Sequence, residues 1–166
     1  PDAHRRIDLF LTEAHKITPG HELRCYDDVL SYLAQMRDLE HLNETLDKAF
    51  PQGPASRQLD GIVKAHLYPY QRTGALFAAK AGRCLLADDM GLGKTVQAIA
   101  AAEILARNVG IQRVLIISPT SLKHQWCQEI GKFTDRSVLV TEGSLMERTM
   151  RYADESFFKV TNYDVL

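Results

Sequence analysis

No stretch of the chain approaches the ~20 consecutive apolar residues that a membrane-spanning helix needs. The densest run, residues 98–106, is short and holds Glu103. Cysteine is scarce. Cys25, Cys84 and Cys127 are far apart and odd in number, which excludes a disulfide framework and a zinc knuckle and predicts a reducing cytosol. The chain has no secretory signal, no internal repeat and no low-complexity tract. Its start at Pro1 reads as a boundary inside a longer protein. Neither sign of charge dominates: 20 Lys+Arg against 21 Asp+Glu leave a net −1, which argues against a general polyanion binder. What remains is 166 residues, 45% hydrophobic and 25% charged. That predicts one domain with a small appendage, large enough to bury a core without staples. Disorder, collagen and coiled-coil fibre are excluded.

The charge is unevenly placed. Residues 1–60 carry 7 Lys+Arg and 11 Asp+Glu, a net −4; residues 61–166 carry 13 and 10, a net +3. The second part therefore suits an anionic ligand better than the total suggests. The first part reads as helical. Ile7, Leu9, Phe10 and Leu11 form a short amphipathic stretch ending near the breaker Thr18-Pro19-Gly20. A longer helix is predicted from Asp27 to Phe50, with Val29, Leu33, Met36, Leu39, Leu42 and Leu46 forming one packing stripe at spacings of three or four. Pro51–Ser56 is a loop and the predicted domain boundary, giving a helical extension (1–60) and a second domain (61–166).

The second part alternates β-rich runs with helical patterns. The strand candidates are Arg83–Ala87, Arg113–Ser118, Ser137–Thr141 and Phe157–Thr161. Helical patterns lie near 94–108, 121–133 and 144–153, and Pro69 suits the first turn of a further helix reaching Ala81. Strand–helix–strand alternation with continuous apolar strands such as Val114–Ile117 predicts an α/β fold with a parallel sheet covered on both faces. Four strands are few for a doubly wound sheet, so the architecture reads as truncated.

The strongest signal is Leu85–Thr95, where an apolar run enters Asp88-Asp89-Met90-Gly91-Leu92-Gly93-Lys94-Thr95 and a helix opens at about Lys94. A helix start offers unpaired N–H groups and the positive end of the dipole. Gly91 and Gly93 let successive N–H groups turn towards a phosphate, with Asp88, Met90 and Leu92 completing the loop. Lys94 would reach the outer phosphates, and Thr95 would ligate a nucleotide-bound Mg²⁺. The strict G-x-x-x-x-G-K-[ST] pattern fails at Asp88; Asp88 and Asp89 read as turn and capping residues, not metal ligands.

Other candidates are open to two readings. Trp126 shares a helical face with Leu122, Ile130 and Phe133, which favours core packing over base stacking. Lys123 and His124 fall on the opposite, polar face, where Lys123 either meets a phosphate or is merely solvated. Ser121, after Pro119, caps a helix, binds a phosphate, or does both. Glu103 and Arg107 read as an exposed i,i+4 pair. The six histidines show no ligand spacing, so no protein-held metal is expected.

The loop Asp88–Thr95 resembles the nucleotide motif of Swi/Snf-type ATPases, the DNA-translocase branch of superfamily-two helicases, which commonly have Asp-Glu-Met-Gly-Leu-Gly-Lys-Thr and also lack the first Walker glycine. Leu67-Tyr68-Pro69-Tyr70-Gln71-Arg72-Thr73-Gly74 is similar to that family's adenine-side motif, with Gln71 hydrogen-bonding the base; an amide both donates and accepts, which suits an adenine edge. Ile117–Trp126 and Val160-Thr161-Asn162-Tyr163-Asp164 resemble its DNA-backbone motifs, though Asn162 stands where the family more often has Thr or Ser. The resemblance covers about residues 62–166.

It implies a RecA-like first motor lobe of an ATP-dependent double-stranded DNA translocase. Gln71, Asp88, Met90, Gly91, Leu92, Gly93, Lys94 and Thr95 would bind ATP with Mg²⁺; Ser121, Lys123 and Tyr163 would touch the DNA backbone. A DNA-bound protein complex is a possible further partner. The family's acidic Mg²⁺ and water-positioning motif and its second lobe are not recognised in the sequence, so no catalytic residue is assigned and the chain alone is expected not to turn ATP over. The rival readings are a superfamily-two enzyme acting on RNA or DNA ends, and a protein-docking role for residues 1–60. Short inter-motif spacing and the lack of basic tails point to a bacterial, nucleoid-associated cytoplasmic protein.

Overall fold

A computed structural model describes residues 3–17, 20, 24 and 26–165. Thr18 and Pro19 of the predicted breaker, and Cys25, lie outside the described residues. By its contacts the chain divides into two compact units, Pro1–Glu44 and Thr45–Leu166. The first holds helix α1 (Ala3–Ile17) and most of α2 (Asp27–Ala49). Asp27 and Asp28 in the first turn of α2 sit favourably at the positive end of its dipole. The expected stripe is only partly realised there. Leu33 is buried and Met36, Leu39 and Leu42 are half-buried, while Val29 is exposed.

The second unit begins inside α2, whose last turn and exit supply buried Leu46 and Phe50. The units therefore part at residues 44 and 45, and the loop at 51–56 lies within the second. Two 3₁₀ turns, Gly53–Ala55 and Arg57–Leu59, shape it. Ser56 is buried, its hydroxyl accepting the Gln52 N–H at 3.0 Å. Arg72 donates to the Ser56 carbonyl and pairs with Asp60 at 3.0 Å. A breaker-rich loop can thus be fastened to a helix by side chains the local sequence does not reveal.

Helix α3 (Pro69–Ala81) starts on Pro69 as predicted and ends at Gly82, φ 68°. It packs along α4 (Lys94–Asn108), and small residues of both helices, Ala75, Ala79 and Ala100, are buried. Strands β1 (Val114–Ile117), β2 (Val138–Val140) and β3 (Phe158–Thr161) form a parallel sheet in the order β1-β3-β2, with Phe158 level with both Val114 and Val138. Helices α5 (Lys123–Phe133) and α6 (Leu145–Ala153) complete the alternation, α6 opening on a Ser144–Glu147 capping box. The α/β class with a parallel sheet, preceded by helices, is borne out.

Two strand expectations need correction. Residues 83–87 form no strand, and Leu85 is 83% exposed. A strand exists through its ladder, and among the described residues none lies beside this segment. Central β3 is buried throughout, but on the edge strand β1 Leu115 and Ile117 are exposed, so the sheet there is covered on one face only. Among the described residues no helix is long and apolar enough to cross a membrane.

Candidate nucleotide site

The loop 88–93 joins the segment 83–87 to the start of α4. Gly91 and Gly93 have φ +85° and +81°, a region costly for any residue with a Cβ. At Gly93 space is also closed: a Cβ would lie 2.5 Å from Gln71 Nε2. Gly93 caps α4 without a side-chain bond. Among the described residues, the N–H groups of Gly93, Lys94 and Thr95 find no backbone acceptor. Three donors and the positive end of the helix dipole thus meet at one half-buried turn.

The side chains brace this turn. Lys94 Nζ donates to the carbonyls of Asp88 (2.7 Å) and Asp89 (3.0 Å). Gln97 Nε2 donates to Asp88 Oδ2 at 2.7 Å. Gln71, buried on α3, accepts the Tyr68 N–H at 3.0 Å, capping its own helix, and donates to the Leu92 carbonyl at 3.1 Å. The structure therefore brings Gln71 and the loop together. Met90 is 96% exposed, while Thr95 is half-buried in the first turn of α4. Asp88 and Asp89 act through carbonyls and, for Asp88, a carboxylate held by Gln97.

The candidates for touching the DNA backbone gather elsewhere, beyond the carboxyl ends of the strands. Ser121 is exposed in a 3₁₀ turn (Thr120–Leu122) after β1. Tyr163 is exposed in a 3₁₀ turn (Tyr163–Val165) after β3. The exits of β1 and β3 are joined by Ser118 N–H to the Thr161 carbonyl, 2.9 Å. This is where open parallel sheets bind ligands. No side chain caps α5, so the capping role for Ser121 is not realised.

Lys123 corrects an expectation. It is 6% exposed, with Nζ 3.4 Å from Glu142 Oε2, and not on a solvated face. The loop after β2 covers it, which the periodicity of α5 alone could not show. His124 is exposed, Trp126 and Phe133 are half-buried, Ile130 is buried and Leu122 is exposed, so the predicted stripe is half covered.

Glu103 corrects another. It is 2% exposed, because α4 is buried on nearly every side. Oε1 accepts Thr134 Oγ1 (2.7 Å) and Arg136 Nε (3.0 Å); Oε2 accepts Arg107 Nε (3.3 Å) and Arg136 Nη2 (3.4 Å). Burial pushes its pKa up, but the bonds from Arg136 and Thr134 and the charges of Arg136 and Arg107 outweigh it and hold it below 4.5. Arg107 continues to the carbonyls of Gly61 and Ile62. These groups line a cleft of about 490 Å³.

Sequence reasoning missed Gln97, Thr134 and Arg136. The signal for Gln97 was present: it and Glu103 interrupt a helix apolar all round, whose polar residues must be buried and paired. Among the described residues no cluster of three His, Cys, Asp or Glu could hold a metal ion.

Comparison with known proteins bears on this geometry. Residues 11–166 match the SNF2-related domain family. The chain is 43% identical over 81 residues to the Bos taurus protein described as DNA annealing helicase and endonuclease ZRANB3, a match covering 46% of this chain and 7% of that protein. It is 42% identical over 77 residues to the Xenopus tropicalis SWI/SNF-related matrix-associated actin-dependent regulator of chromatin subfamily A-like protein 1, covering 46% and 8%. Among solved structures, the Sulfolobus solfataricus SWI2/SNF2 ATPase core in complex with dsDNA superposes with a TM-score of 0.55 at 33% identity, covering 62% of this chain and 22% of that one. The expectation of a bacterial, nucleoid-associated cytoplasmic protein is overturned: these sequence relatives, with a further one from Caenorhabditis elegans, are animal proteins. Spacing between motifs of one lobe is set by the strands and helices it joins, so it holds no information about compartment.

Proposed function

The chain belongs to the SNF2-related domain family, and from that premise we propose that it is the nucleotide-binding part of an ATP-dependent double-stranded DNA translocase. The observation that carries the reading is the half-buried turn at Gly93–Thr95, where three N–H groups lack backbone acceptors among the described residues, beside the Lys94 ammonium. Such a turn is built for an anion with several oxygens. A triphosphate would replace the carbonyls of Asp88 and Asp89 as the acceptor for Lys94. Gln71 would face the base. It retains a long 3.4 Å contact to the Tyr70 hydroxyl that an adenine edge would displace. The Thr95 hydroxyl has no hydrogen-bond partner among the described residues and would ligate Mg²⁺, which neutralises phosphate charge when bound with the nucleotide. Ser121 and Tyr163, exposed beyond β1 and β3, would meet DNA phosphates; Lys123 would do so only on leaving Glu142.

The chain alone is proposed to bind ATP without turning it over. Phosphoryl transfer needs an acidic group on the metal, a water-positioning group and, in many such motors, an arginine finger worth roughly 10³–10⁵ in rate. Glu142 follows β2 but is engaged with Lys123. Steady-state phosphate release is therefore expected at background, with or without duplex DNA. Thermal unfolding with and without ATP·Mg tests the binding. At 100 times Kd, ATP would add about 2.7 kcal/mol, a midpoint rise of several degrees, and Lys94→Ala would remove most of it. An equal rise in the variant would place the nucleotide elsewhere.

A further inference from the structure

Gln97 is fully buried in the second turn of α4. Its Nε2 reaches back to Asp88 Oδ2 at 2.7 Å, and its Oε1 is buried with no hydrogen-bond partner among the described residues. That acceptor lies against Gly74 of α3: a Cβ at position 74 would stand 1.8 Å from Oε1 and 2.9 Å from Cδ. A buried amide with one unpartnered end carries a desolvation cost and calls for an explanation. The amide has one orientation that bonds Asp88, and glycine at 74 leaves the room for it. Gly74 lies one helical turn after Gln71, which holds the other end of the loop through the Leu92 carbonyl. One buried amide thus grips the entry of the loop and another its exit.

We propose that Gln97 is a positioning residue for the phosphate loop. It does not touch the nucleotide. It holds the Asp88 carboxylate, and Asp88 stands where the common phosphate-loop pattern has its first glycine. Asp88 in turn offers its carbonyl to Lys94. By fixing Asp88, Gln97 sets the height of the loop above α4 and the approach of its N–H groups to a phosphate chain, and Gly74 makes that setting depend on α3. The inference rests on nucleotide binding at residues 88–95.

Titration calorimetry with ATP·Mg on the 166-residue chain tests it, well below each variant's melting midpoint. Gln97→Leu and Gln97→Glu should each weaken ATP on the order of tenfold, the first by removing a bond to a charged group and the second by setting two carboxylates face to face. Combining Asp88→Asn with Gln97→Glu exchanges amide and carboxylate across the same contact. It should restore affinity to within about threefold of wild type, as expected if the bond itself is what counts. Gly74→Ala introduces a better helix former but displaces the Gln97 amide, and should weaken ATP as Gln97→Leu does. Wild-type affinity in the single variants, or a double variant no tighter or no better folded than Gln97→Glu alone, overturns the proposal. Absence of ATP binding in the wild type overturns the nucleotide reading itself, and the proposal with it; that result appears before any substitution is made.

Discussion

At the start of α4 the N–H groups of Gly93, Lys94 and Thr95 have no backbone acceptor among the described residues, and Lys94 rests on two loop carbonyls. Further along the same helix both oxygens of Glu103 are engaged, by Thr134, Arg136 and Arg107. One region keeps donors without acceptors at a half-buried turn; the other buries a charge and satisfies it. The difference separates a place that can receive a ligand from one that holds the fold. A cleft of about 490 Å³ opens at the second region, yet its polar groups are already spent on one another. Cavity size is thus a poorer guide to the site than the inventory of unpaired donors.

The largest effect expected from breaking the contrast is at Glu103. Glu103→Ala strands two guanidinium groups that are 37% and 50% exposed. Water can reach them, so the cost should sit near the low end for a broken buried pair, about 3 kcal/mol. The melting midpoint should fall by roughly 10 °C, while ATP affinity of the folded chain stays at the wild-type value. Lys94→Ala should show the reverse: a midpoint within about 1 °C of wild type without nucleotide, as for most surface changes, and loss of most of the ATP-induced rise.

A smaller effect is expected with pH. Glu103 has a folded pKa held below its ordinary 4.5. Its contribution is complete above the unfolded value and disappears as the pH falls through the folded one. The midpoint should drop more steeply between pH 5 and 3 in wild type than in Glu103→Gln, measured by thermal scans across that range. Parallel curves would mean the carboxylate is not what ties 61–62, 134 and 136 to α4.

The smallest effect concerns DNA. The chain should bind duplex weakly through few phosphate contacts, with a shallow salt slope and little dependence on sequence. Ser121→Ala or Tyr163→Phe should weaken it only a few-fold in fluorescence anisotropy. Tight, sequence-selective binding would contradict a backbone-touching role for the strand exits.

Where the pattern was local, the sequence disclosed it. The helices at 94–108, 123–133 and 145–153 and the strands at 114–117, 138–140 and 158–161 follow from period and composition. The glycines of the loop are legible because only they fit its φ values. The unpaired segment 83–87 was not legible, since Leu85 and Leu86 look like any buried strand and pairing is a property of neighbours. Lys123 and Glu103 were misplaced for the same reason. The wheel of one helix says which residues share a face, not what lies over it, and Glu142 and Arg136 come from 19 and 33 residues away. The fastening of the loop at 51–56 was not legible either, because its anchor, Arg72, lies on a later helix.

Amide-resolved NMR during an ATP·Mg titration of the 166-residue chain puts the contrast between the two ends of α4 to the sharpest test. Resonances of Gly91, Gly93, Lys94 and Thr95 are expected to move in a saturable way, with those of Gly61, Ile62, Thr134 and Arg136 unmoved. Shifts concentrated at 61–64 and 133–136, with the loop silent, would contradict nucleotide binding at the start of α4.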